Sequence, residues 1–123
     1  MLSLPASVRI YLATEPCDMR KGFDSLAALV RETFGDDPLS GHLFVFRSRR
    51  ADRLKVLWWD RDGYAIWMKR LEKGTFRLAV PDASRGAARV EIPRRDLAML
   101  LEGIDPRNVT RSRRFACASA GRV

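Results

Sequence analysis

Residues 41–77 read GHLFVFRSRRADRLKVLWWDRDGYAIWMKRLEKGTFR and carry the clearest pattern in the chain. Apolar and polar residues alternate here with the period of two that is typical of β-strands, in runs separated by polar turns. The stretch contains all three tryptophans, and ten of its residues are Lys or Arg against four Asp or Glu. It therefore predicts a β-meander with a basic and aromatic surface.

Turn signals divide this stretch into strands. The predicted strands are residues 42–47, 53–59, 64–70 and 75–80. Residues 48–52 form a polar hairpin loop between the first two strands. The Asp62-Gly63 pair predicts a tight turn between the second and third, because glycine accepts the positive φ that such turns require. The first strand is apolar on both faces, which predicts a place inside the sheet.

An amphipathic helix precedes the meander. Its apolar residues fall at i, i+3, i+4, i+7 and i+11, and they are Phe23, Leu26, Ala27, Val30 and Phe34. Gly35 is placed to end this helix. Two starts fit the sequence. In one, Asp18 caps a helix that includes residues 19–21. In the other, Gly22 interrupts and the regular turns begin near Phe23.

Further elements lie near the two ends of the chain. Residues 8–13 alternate and predict a first strand, and residues 89–92 predict a short later strand. Pro93 at a helix start and Gly103 at its end delimit a short C-terminal helix.

Together these elements predict a single α+β domain over residues 1–105. Its architecture is an antiparallel β-meander of about four to five strands, with an N-terminal amphipathic helix and a short C-terminal helix. Residues 106–123 are rich in arginine and offer little to bury, so they predict a basic, disordered tail.

The charge of the chain limits its partner classes. A formal net charge of +8 attracts polyanions, so nucleic acid is the expected partner and an anionic membrane surface the weaker one. Two cysteines a hundred residues apart and one histidine supply neither a zinc site nor a disulfide framework, so no metal and no cofactor are predicted. No apolar run approaches the roughly 18 residues of a membrane helix. These features predict a cytoplasmic protein.

One face of the meander is a candidate nucleic-acid surface. Arg53, Lys55 and Trp59 project from the same side of the second predicted strand. Tyr64 and Arg70 join them if the register of the next hairpin permits. Cations would neutralise phosphates while the rings stack on bases. The alternative is that Trp59 belongs to the core and the cations line a solvated face.

The helix start offers a second candidate. Arg20 and Lys21 precede a glycine, and backbone N–H groups at a helix start favour an anion there. Asp18 capping the helix or pairing with an arginine is the alternative.

The hairpin tip offers a third candidate. Arg49, Arg50 and Arg53 surround the tip and, with arginines of the tail, are placed to embrace a duplex backbone, whereas the alternative role is solubility. The complete set of predicted nucleic-acid contacts is Arg20, Lys21, Arg47, Arg49, Arg50, Arg53, Lys55, Trp59, Tyr64, Lys69 and Arg70.

Three segments resemble a known family. They are CDMRKGFDSLAALV, DPLSGHLFVFRSRRADRLKVLWWDRDGYAIWMKRLEKGTF and LAMLLEGID. In this order they resemble the TnpB-type accessory protein, the second open reading frame, of the IS66 class of bacterial insertion sequences. The resemblance implies a protein encoded beside a separate DDE-type transposase that assists movement of the element. It carries over no catalytic residues.

The predicted function is therefore accessory DNA binding in transposition, with DNA of the element ends and the DDE-type transposase as partners. The alternative is a protein-interaction module that docks onto the transposase without contacting DNA. Enzyme activity is not predicted, because most of the aspartates have simpler roles in helix capping, in turns or in screening neighbouring arginines. In addition, no strand-borne acid is followed by the acid-x-Lys pattern of a nuclease core.

Overall fold

A five-stranded mixed sheet is the centre of the fold. The computed structural model describes residues 5–77 and 86–102. Its elements are β1 (Ile10–Ala13), α1 (Phe23–Leu29) with a following π-helical turn (Val30–Phe34), β2 (Leu43–Arg47), β3 (Arg53–Asp60), β4 (Gly63–Arg70), β5 (Arg89–Ile92) and α2 (Arg94–Leu101). The strand order is β4-β3-β2-β1-β5. The predicted α+β class, with its N-terminal helix and short C-terminal helix, is confirmed.

The position of β1 makes the sheet mixed. β1 lies between β2 and β5, parallel to β2 and antiparallel to β5. Parallel neighbours need a long crossover connection, and the segment containing α1 provides it. β2, β3 and β4 form the predicted antiparallel meander.

Some predictions extend past these elements. Of the predicted strand 75–80, residues 75–77 are not in a strand. Residues 78–80, Gly103 and the predicted tail 106–123 lie outside the described residues.

Each face of the sheet packs against one helix. Leu97 and Leu100 of α2 cover one face, and Leu26 of α1 with Val30 of the π-helical turn covers the other. Four consecutive residues of β2, from position 43 to 46, are at most 1% exposed. β2 is therefore an interior strand covered on both faces, as its sequence predicts.

Both ends of the first helix are defined by glycine. Gly22 is the residue before α1, so the later of the two predicted starts is the observed one. Gly35 ends the π-helical turn with φ of 72°, in the left-handed region, as predicted. The following Asp36 accepts hydrogen bonds of 2.8 and 2.9 Å from Arg89 of β5. The Arg89 guanidinium also lies 4.5 Å from the Tyr11 ring centre, which fixes the end of the helix to the sheet.

The turn between β3 and β4 differs from its prediction. Asp60 pairs with Gly63, so the loop is Arg61 and Asp62. The positive φ belongs to Arg61, at 60°, and Gly63 is outside the left-handed region. The prediction that Gly63 supplies the positive φ is wrong. The register of the hairpin moves that conformation two residues earlier.

Replacing Gly35 with Ala is expected to lower the free energy of unfolding by about 1 kcal/mol, because a Cβ is disfavoured at positive φ. Nothing lies within 4 Å of that Cβ, so the effect comes from the backbone alone. Gly63→Ala is the matched control, since its site is equally open and its φ is not positive. It is expected to leave stability unchanged or slightly higher. Urea denaturation measures both, and an equal loss in the two variants would contradict this assignment.

Candidate nucleic-acid interface

An arginine-rich cleft forms where two loops meet at one end of the sheet. One loop leads from β1 into α1, and the other joins β2 to β3. The cleft has a volume of about 430 Å³ and is lined by Pro16, Cys17, Asp18, Met19, Arg20, Ser48, Arg49, Arg50, Asp52 and Arg53. Arg20 from the helix start therefore shares one site with Arg49, Arg50 and Arg53 from the hairpin tip, whereas Lys21 does not line it. We call this site the arginine cleft.

The β2–β3 turn is held by a local hydrogen-bond network. The Ser48 hydroxyl donates to the Asp52 carboxylate at 3.1 Å and accepts from the Arg53 backbone N–H at 3.1 Å. The backbone N–H of Ser48 donates to the carbonyl of Arg53 at 3.0 Å, and that of Ala51 to the carbonyl of Ser48 at 2.9 Å. Ala51 has φ of 61°. These bonds fix the backbone that presents the arginines.

Three arginines at this turn have guanidinium groups without a partner in the part of the chain that the structure describes. Arg49 and Arg50 are exposed, and Arg53 is half-buried. Within residues 5–77 and 86–102, none of these side chains makes a hydrogen bond or an ion pair. Most of the other cations that were predicted as nucleic-acid contacts have partners inside the protein. The guanidinium groups of this turn are therefore the ones best placed to bind a ligand.

The opposite wall of the cleft carries an ion pair. Arg20 donates hydrogen bonds to the Asp18 carboxylate through its Nε and Nη2 atoms, the shorter at 2.8 Å, and through its backbone N–H at 2.9 Å. The side-chain bonds from Arg20, together with the backbone bond, lower the pKa of Asp18 to about 2. Asp18 is therefore ionised at neutral pH and holds the exposed Arg20 side chain beside the cleft. This is the pairing with an arginine that the sequence left open.

Lys55 lies beneath this wall. Its Nζ atom donates to the carbonyl of Met19 at 2.8 Å and to that of Lys21 at 2.7 Å. The residue is 9% exposed. The loop before α1 covers the face of β3 on which Lys55 lies, so its ammonium group is not on the surface where the sequence placed it. It bridges the sheet to the loop instead.

Arg47 and Lys69 also bind backbone carbonyls. The Nη2 atom of Arg47 donates to Thr14 at 3.1 Å, while its Nε atom is buried with no partner among the described residues. The Lys69 Nζ donates at 2.8 Å to the carbonyl of Leu101, the last residue of α2, where a cation favours the helix dipole. Both predicted contacts are therefore engaged in holding the fold.

The aromatic pair of the sheet face lies away from the cleft. Trp59 pairs with Tyr64 and Arg53 with Arg70, so the register does bring these residues to one face. The rings of Trp59 and Tyr64 pack edge to face with centroids 5.1 Å apart. They lie six residues along β3 from Arg53, a distance of roughly 20 Å for an extended strand. Arg70 pairs with Glu72 at 3.1 Å.

Two residues that shape the cleft were absent from the sequence-based candidates. Ser48 and Asp52 fix the turn. The sequence does contain a signal for this role, because a hydroxyl and a carboxylate close together in a polar loop favour local hydrogen bonds. Cys17 also lines the cleft, and burial raises the pKa of its thiol.

Two further properties of the described residues concern metal binding and membrane spanning. Among residues 5–77 and 86–102, no three His, Cys, Asp or Glu side chains cluster in a way that could hold a metal ion. In the same ranges, the helices are too short and too polar to cross a membrane.

Replacing Lys55 with Met is expected to lower the free energy of unfolding by about 2–3 kcal/mol, because two part-buried carbonyls lose a charged donor. Lys73→Met, at an exposed position, is the control and is expected to change stability by less than about 0.5 kcal/mol. Urea unfolding followed by circular dichroism compares them. Similar stabilities for the two variants would show that Lys55 does not support the loop.

Comparison with known proteins identifies the family. The model of the TnpB_IS66 family, described as IS66 Orf2 like protein, matches residues 8–111. The uncharacterized protein y4hO of Sinorhizobium fredii (strain NBRC 101917 / NGR234) is 44% identical over 108 residues, which cover 88% of this chain and 90% of that protein. The uncharacterized protein y4jC of the same strain is 36% identical over 111 residues, covering 90% and 92%. No solved structure matches the chain. The chain therefore belongs to the IS66 Orf2-like family, which indicates an accessory role in the transposition of an insertion sequence.

Proposed function

We propose that this accessory protein binds the phosphate backbone of DNA through the arginine cleft. The observation that carries the proposal is the pair Arg49 and Arg50. Both are exposed on a turn with a fixed backbone, and neither guanidinium has a partner among the described residues. Arg53 adds a third guanidinium that has no partner within residues 5–77 and 86–102, and Arg20 extends from the opposite wall.

The acids of the cleft do not cancel its positive charge. Four arginines and two aspartates line it, which leaves a net charge of +2. Asp18 is already bound by Arg20, and Asp52 accepts a hydrogen bond from Ser48. The carboxylates therefore orient the walls, while the unpaired guanidinium groups remain available to an anion.

Arginine suits this role because its planar fork matches two phosphate oxygens. Each neutralised phosphate releases condensed counterions, so affinity falls steeply as salt rises. Contacts of this kind position a protein on DNA without reading its sequence. We propose that the bound DNA belongs to the element ends and that the DDE-type transposase supplies their selection.

Base stacking is not part of this proposal. The Trp59 and Tyr64 rings pack on each other, and their separation from the cleft leaves them outside the proposed contact. Lys55, Arg47 and Lys69 are likewise excluded, because their donors bind backbone carbonyls.

Replacing Arg49 and Arg50 together with Glu is expected to weaken binding to a labelled duplex at least tenfold near 0.1 M salt, an order-of-magnitude estimate. It should also reduce the slope of log K against log salt by about 2, since roughly 0.9 is lost for each phosphate contact removed. Fluorescence anisotropy across a salt series, with element-end DNA and with unrelated DNA, measures both quantities.

The control is Arg31→Glu combined with Arg95→Glu, which makes the same charge change at exposed positions outside the cleft. It is expected to change the slope much less. Equal losses in the two double variants would assign the effect to net charge instead of the cleft. Failure of the unchanged protein to bind either duplex at low salt would overturn the proposal and favour docking onto the transposase alone.

A further inference from the structure

The two edge strands of the sheet, β5 and β4, differ in length and in charge. β5 has four residues, and its Arg89 and Glu91 make ion pairs with other parts of the chain. Short and charged edges resist pairing with another chain. β4 has eight residues and no proline, and its charges lie only at its last two positions. Among the residues that the structure describes, β4 pairs on one side alone, with β3.

An apolar stripe reaches this edge on the face toward α1. Tyr64 and Ile66 are half-buried, and Met68 is 50% exposed. All three share that face because they alternate along β4. A long apolar edge with free backbone groups is the surface to which a further strand adds.

We propose that β4 pairs antiparallel with β4 of a second copy of this chain, around a two-fold axis that passes midway between the Ile66 residues of the two copies. In this register Asp62, the turn residue directly before the strand, lies next to Arg70 of the second copy, which within its own chain pairs with Glu72 at 3.1 Å. Because the dimer is symmetric, this pair of opposite charges occurs twice in the interface. Tyr64 lies opposite Met68 of the second copy, so the exposed thioether gains an aromatic neighbour.

Charge selects this register over its neighbours. A shift of the pairing by one residue would exchange the two faces of the strand, so only shifts by two residues keep the apolar stripe continuous. Moving the axis one residue toward the C-terminus shifts the pairing by two residues. Asp62 then lies opposite Glu72 of the second copy, and the two carboxylates repel. Moving the axis one residue toward the N-terminus brings Arg61 of the turn next to Lys69 of the second copy, and these two cations also repel. Like charges directly opposite each other destabilise a strand pair.

The pairing has a consequence for the arginine cleft. A two-fold axis perpendicular to the sheet keeps α1 of both copies on one side. The two clefts would therefore face the same way, at opposite ends of the joined sheet. One duplex that reached both clefts would bind with avidity. This consequence rests on the proposed DNA binding, whereas the dimer itself does not.

Sedimentation equilibrium of the full chain, from low to high micromolar concentration, tests the dimer. The unchanged protein is expected to show a concentration-dependent dimer. Asp62→Arg and Arg70→Asp are each expected to raise the dimer dissociation constant by about 5- to 30-fold, since two ion pairs become two repulsions. The combined variant Asp62→Arg, Arg70→Asp is expected to restore the dimer, because both pairs re-form with reversed sign.

Asp60→Arg is the matched control, since Asp60 is exposed on the same hairpin but lies on β3, away from the edge. It is expected to leave the dissociation constant unchanged, and circular dichroism verifies that every variant is folded. A monomer at all concentrations would overturn the proposal. So would a dimer insensitive to the single changes, or one that the combined variant fails to restore. A monomer that still binds DNA would leave the proposed function standing.

Discussion

The arginine cleft depends on the hydrogen bonds that the ammonium group of Lys55 donates. This group joins β3 to the carbonyls of Met19 and Lys21, and so fixes the loop that forms one wall of the cleft. A charged donor at this depth stays favourable because two carbonyl oxygens replace its lost water. The backbone bond from Cys17 to the carbonyl of Arg47 holds the same loop against β2. The opposite wall is the β2–β3 turn, which begins at the end of that strand.

The cations of the sheet divide into two groups by what they contact. Lys55, Arg47 and Lys69 bind carbonyls of loops and of a helix end, so their charge is used within the protein. Arg49 and Arg50 project from a turn that is held by hydrogen bonds of Ser48, and their guanidinium groups have no partner among the described residues, so their charge remains available. Net charge alone does not distinguish these roles. The hydrogen-bond partners do, and they narrow a broad basic surface to one cleft.

Local patterns predicted β1 to β5 because alternation and turn residues are properties of neighbouring positions, whereas residues 75–77 of a further predicted strand are not in one. They also predicted the end of the first helix at Gly35, where a left-handed residue is needed. They placed Lys55 on the correct face of β3, yet its burial depends on the path of the loop before α1, which residue spacing does not specify. The positive φ of Arg61 follows from hairpin register, which the Asp62-Gly63 pair alone does not determine.

The position of β1 and the assembly of the cleft depend on contacts between distant segments, so neither could be taken from sequence. The most direct test of DNA binding by the arginine cleft is an NMR titration of the arginine Nε–Hε resonances with a short duplex. Those of Arg49, Arg50 and Arg53 are expected to shift together and saturate with one binding curve. Arg89, held by Asp36 and Tyr11, serves as an internal reference and should not move. Unchanged resonances of the cleft arginines alongside shifts at the Trp59 indole would contradict binding through the cleft.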